Sequence, residues 1–243
     1  MTSGAASGTA DTDRMRFGTE TFYAAIGRAF MAMCAFVPVL WLIELINWAT
    51  ADTLASDGGI RSRDITGLDG VVLAPFLHAS FAHVAANSVP LLLLGTFVLA
   101  GQFKRFLVIT AFIAVISGMS VWLFGPANTV TVGASGVIFG YLGYLLVRGI
   151  VERRWWSLGV SLLVGLLYGW QLTGVLPGDP HVSWQGHLGG FLAGVVAAIL
   201  FRQRRPRKAK KAADTATDTT AGALGAPTIT LPTPDKTLEL PNA

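Results

Sequence analysis

Residues 87 to 101 read NSVPLLLLGTFVLAG, and no face of this stretch is polar. A strand of a membrane barrel alternates apolar with polar side chains over ~10-residue segments, so this stretch is poorly suited to one and reads instead as a helix. Five further apolar runs resemble it, giving spans at about 29–48, 84–101, 106–124, 134–147, 155–173 and 186–201. Most approach the ~20 residues that cross ~30 Å of hydrocarbon as helix. Hydrophobic residues make up 52% of the 243-residue chain, charged residues only 13%, and mean hydropathy is +0.56. The values lie outside the range of soluble domains, so an all-α membrane protein with six transmembrane helices is expected. A cleaved leader is the rival reading of the first span, with a small-x-small site at Ala49 and Ala51, but the ~20-residue run exceeds a usual h-region of ~7 to 15 residues.

Lys and Arg set the expected orientation. Arg14, Arg16 and Arg28 precede the first span, Lys104 and Arg105 follow the second, and Arg153 and Arg154 follow the fourth. Seven more lie between Arg202 and Lys211, whereas the opposite loops hold only Arg61 and Arg63 among Asp52, Asp57, Asp64, Asp69 and Asp179. The positive-inside rule therefore puts both termini in the cytoplasm. Topology largely accounts for a pI near 9.5. The tract RQRRPRKAKK would attract any polyanion, nucleic acid and anionic lipid included, but fixing the cytoplasmic end of the last helix is the simpler role, and no nucleic-acid partner is expected. Three regions result: a flexible cytoplasmic segment over 1–24, a six-helix membrane domain over 25–202, and a basic, then disordered, cytoplasmic tail over 203–243. The single Cys34 excludes an intrachain disulfide.

Under that topology spans two, four and six all begin on the extracytoplasmic side, and each beginning carries polar residues. His78, His83 and Asn87 belong to span two, Ser135 to span four and His187 to span six. His83 and Asn87, four residues apart, share a helical face. The fourth span is short, about 22 Å as helix from Gly133 to Arg148, so it should start inside the membrane. The irregular FGPANTVTVG before it then needs protein or a water-filled cavity to satisfy its backbone. Ser135 sits between glycines in GASG at a helix amino terminus, where unpaired N–H groups and the dipole favour negative charge, such as that of a tetrahedral oxyanion. Taken singly, these residues have plainer roles: a packing or N-cap serine, interhelical hydrogen bonds from His83 and Asn87, a structural imidazole at His187. Their common depth favours a site.

GASG with Ser135, HASFAHVAAN with His78, His83 and Asn87, and GHLGGFLAG with His187 resemble, in order and spacing, the rhomboid intramembrane serine proteases, over about residues 25–202. The resemblance implies a six-helix rhomboid-like bundle and a Ser135–His187 dyad that cleaves transmembrane segments of membrane proteins, without an acidic third member. It implies an oxyanion hole formed by the side chains of His83 and Asn87 and the backbone N–H of Ser135, with His78, Gly133, Gly136 and Phe139 in support. No metal or other cofactor is expected, since the histidines lack an HExxH pattern or an intramembrane carboxylate beside them. Partners would be transmembrane substrates and the lipids of the cell membrane. Many family members have Tyr where this chain has Phe139, and the first extracytoplasmic loop, GIRSRDITGLDG, lacks the Trp-Arg pair of some bacterial members. Gly186, Gly190 and Gly194 on span six, with Gly136, Gly140 and Gly143 on span four, suit close helix packing. A catalytically silent, helix-binding relative is the alternative; a small-solute transporter finds no support in paired inverted repeats.

Overall fold

The computed structural model describes residues 17–152, 155–178 and 182–202. The expectations for the chain before residue 17 and for 203–243, and those resting on Arg153, Arg154 and Asp179, lie outside the described residues.

Among the described residues, eight α-helices and a two-stranded ladder follow in order: α1 (Glu20–Ala49), α2 (Thr53–Gly58), β1 (Ile60–Arg61), α3 (Gly70–Leu73), α4 (Phe81–Leu99), α5 (Phe103–Phe124), β2 (Val130–Thr131), α6 (Ser135–Glu152), α7 (Trp155–Tyr168) and α8 (Trp184–Leu200). A 3-10 segment, Gly169–Val175, prolongs α7. Among the described residues, five helices are long and apolar enough to cross a membrane: α1, α4, α5, α6 and the joined Trp155–Val175. The sixth expected span is the apolar α8, only 17 residues long, about 26 Å at 1.5 Å per residue.

Two helices depart from the sequence reading at their ends. Helix α1 starts at Glu20, inside the segment expected to be flexible, because the Thr19 side chain accepts a hydrogen bond from Phe22 N and Glu20 favours the positive end of the dipole. Helix α6 starts two residues later than expected, at Ser135, and runs four residues past Arg148, so it is two residues, or about 3 Å, longer than expected. That extension is held by ion pairs: Glu152 meets Arg148 at 3.1 Å and Arg105 of α5 at 3.2 Å, and Ser157 donates to Glu152 at 3.2 Å. The polar end of this span is thus carried as helix by one carboxylate shared between two arginines inside the protein.

Helix α6 is the hub. Its residues are 67% buried over the span, against 11% for Trp155–Val175, and it packs on α4, α5, α7 and α8. Tyr141, Leu142, Tyr144 and Leu145 fill the core around it with Leu94, Ile109 and Ile113. Against α8 the approach is backbone to backbone: a Cβ on Gly190 would strike the carbonyl of Gly136, and one on Gly194 the carbonyl of Gly140. Only glycine at those two places permits this seam, the close contact that small residues provide between membrane helices.

The loop between α1 and α4 is sewn to the top of α5 and to the approach to α6. Ile60 pairs with Thr131 and Arg61 with Val130, antiparallel. Ser62 Oγ donates to Val121 O at 3.1 Å, the Arg63 side chain to Gly125 O at 3.2 Å and Trp122 Nε1 to Asp64 O at 2.8 Å. These bonds satisfy irregular backbone that lipid could not, and they fix the route by which the chain reaches Ser135.

Candidate active site

Ser135 is the first residue of α6, so its N–H and those of the next residues have no partner within the helix. The chain arrives through Gly133, whose φ of +120° excludes other residues in comfort and whose N–H donates to Ala74 O at 2.9 Å. A Cβ on Gly133 would stand 2.7 Å from the His83 imidazole and 3.7 Å from Asn87 Nδ2. Both α4 side chains therefore lie over the backbone leading to Ser135.

The α6–α8 seam brings His187 to the same place. His187 Nε2 is 2.9 Å from Ser135 Oγ, and its Nδ1 is 3.0 Å from the carbonyl oxygen of Gly174. Phe139, one turn into α6, stacks on the imidazole with centroids 4.1 Å apart and planes inclined by 11°. The ring that replaces tyrosine here keeps the stack. Ser117 of α5 donates to Gly186 O at 2.8 Å and sits where a Cβ on Gly136 would fall; it anchors α8 one residue before the histidine.

Ser135, His187, His83, Asn87, Gly133, Gly136 and Phe139 all line one cavity of about 1020 Å³. Asn87 is 6% exposed, yet its Nδ2 has no hydrogen-bond partner, which leaves a buried donor facing the cavity. His78 does not line it. That ring is fully buried, lies edge-on to His83 with centroids 5.1 Å apart, and has neither nitrogen bonded. Burial, with a smaller contribution from His83, pushes its pKa down to about 4, so it packs against His83 as a neutral ring. Its backbone is held by Asn47 of α1, whose amide donates to His78 O at 3.2 Å. Among the described residues, no three His, Cys, Asp or Glu side chains converge as a metal site requires.

Sequence reasoning missed Ser117, Asn47 and the Gly174 carbonyl. Ser117 and Asn47 had a faint signal as polar residues in apolar helices; a carbonyl has none.

A family model of the rhomboid domain matches residues 67–204. The chain belongs to the rhomboid family. The match covers every residue that lines the cavity except Ile60 of β1. An uncharacterized protein of Mycobacterium tuberculosis is 42% identical over 187 residues, 73% of this rhomboid chain and 78% of that protein. Another uncharacterized protein, from Mycobacterium leprae, is 39% identical over 194 residues, covering 75% and 76%. The rhomboid protease GluP of Bacillus subtilis is 30% identical over 171 residues, 66% of this chain but 32% of GluP. With its apolar helices, this rhomboid is a multi-pass membrane protein.

Proposed function

We propose that this chain is an intramembrane serine endopeptidase that cleaves transmembrane segments of membrane proteins. The observation that carries the reading is the 2.9 Å approach of Ser135 Oγ to His187 Nε2 at the wall of a cavity of about 1020 Å³. Ser135 Oγ attacks the scissile carbonyl while its proton passes to His187, which then returns it to the leaving amine. The carbonyl oxygen, now an oxyanion, is met by the Ser135 N–H and by donors on His83 and Asn87. Neutral donors suit a membrane interior because no ion has to be buried to make the hole. Water entering the cavity completes hydrolysis of the acyl-enzyme.

A transmembrane helix shields its own amides, so the substrate must be extended where it meets Ser135; segments that unwind readily, with small residues near the cut, fit that need. The distribution of Lys and Arg supports both termini in the cytoplasm of a cell membrane, with the site opening toward the opposite face and lipid surrounding the bundle.

The test uses purified full-length protein in liposomes with model transmembrane substrates, comparing wild type, Ser135→Ala and His187→Ala, beside labelling by a fluorophosphonate. Cleavage and labelling in wild type, both lost in Ser135→Ala, are the expected result. A wild type that neither cleaves nor labels sinks the reading and leaves a helix-binding relative.

A further inference from the structure

We propose that the main-chain carbonyl of Gly174 is the positioning partner of His187, holding the imidazole as its Nδ1–H tautomer so that the Nε2 lone pair faces Ser135. This rests on the Ser135–His187 dyad and supplies what that dyad lacks, a group that orients the base. A carbonyl oxygen only accepts hydrogen bonds. At 3.0 Å from Gly174 O, Nδ1 must carry the hydrogen; the other tautomer would set two lone pairs against each other. Nε2 is then bare, and Ser135 Oγ, 2.9 Å away, donates to it, which is the arrangement a general base needs.

The stack on Phe139 restricts the ring to motion in its own plane, and within that plane Gly174 O and Ser135 Oγ occupy its two nitrogens. A side chain at Gly174 would crowd this arrangement: a Cβ there would stand 3.0 Å from Phe139 Cζ, tight enough to press on the stacked ring, and 3.4 Å from His187 Nδ1. When the Ser135 O–H bond breaks and its proton bonds to Nε2, the imidazolium carries two N–H groups, and the Nδ1–H bond to Gly174 becomes charge-assisted. The carbonyl so performs the orienting part of the buried aspartate's work in Ser-His-Asp enzymes without placing an anion in the membrane. Gly174 ends the least buried of the spans, so the base is aimed by a peripheral element.

Nitrogen-15 NMR of the full chain labelled at histidine, with His187 assigned through His187→Gln, tests the inference. A protonated Nδ1 and an unprotonated Nε2 are expected. Replacing the Gly174–Val175 amide by an ester, through the α-hydroxy analogue of valine, weakens the acceptor without adding atoms. It should raise the Nε2–H population and slow fluorophosphonate labelling about tenfold, the scale of half a charge-assisted hydrogen bond. Gly174→Val should do so more strongly; should that variant misfold, the ester decides. An Nε2–H tautomer in the wild type, or a tautomer that ignores the ester, overturns the role of Gly174. Labelling that survives Ser135→Ala overturns the dyad instead, so the two failures are distinguishable.

Discussion

Asn47 and Asn87 are both buried, carry the same side chain, and are set up for opposite tasks. Asn47 is bonded all round: its amide donates to Asp52 and to His78 O, each at 3.2 Å, and its carbonyl oxygen accepts from Ala55 N at 2.9 Å. At about 1 kcal/mol net for each of these bonds, Asn47→Ala should cost roughly 3 kcal/mol of stability. Asn87 Nδ2 bonds nothing, so Asn87→Ala should change stability by less than about 1 kcal/mol, because no bond of that donor is lost. Its loss should fall on the transition state instead, about 2.7 to 4 kcal/mol, or roughly a hundredfold to a thousandfold in turnover. Thermal unfolding in detergent, beside single-turnover cleavage in liposomes, measures both quantities. The reasoning fails if Asn87→Ala melts as early as Asn47→Ala, or cleaves at the wild-type rate while folded.

Gly194→Val would drive a branched side chain into the Gly140 carbonyl, costing about 1 to 3 kcal/mol of overpacking, and labelling should disappear as the seam opens; a near-normal labelling rate would deny that the seam sets the dyad distance. Glu152→Gln leaves Arg105 and the buried Arg148 without their carboxylate and should destabilise by about 3 to 5 kcal/mol, seen as a lowered melting temperature with an unchanged labelling rate per folded molecule. Phe139→Tyr keeps the stacked ring and should label within a few-fold of wild type, whereas Phe139→Ala frees the imidazole and should label far more slowly; equal rates for the two would remove the stack from the mechanism.

Much of this arrangement was legible beforehand, for identifiable reasons. Lipid offers backbone no hydrogen bonds, so spanning helices must appear as long apolar runs, and within them His83, Asn87, Ser135 and His187 stood out as unusually polar. The glycines spaced by four on α8 announced a backbone-level seam, and they mesh with Gly136 and Gly140. Helix ends were less readable: at Glu152 the outcome turns on a pairing with Arg105, 47 residues away, and at Glu20 on a cap inside a polar segment. The Gly174 carbonyl was beyond reach, because every residue has one and only the fold decides which meets Nδ1.

The two halves of the proposed dyad are 52 residues apart in the chain, and the histidine rides on α8. Ser135 is therefore polymerised before His187, the residue that would activate it. On the proposed reading, Ser135 stays an ordinary alcohol until α8 packs beside α6, so a nascent chain stalled before Trp184 would lack the base and have no means to cut its neighbours.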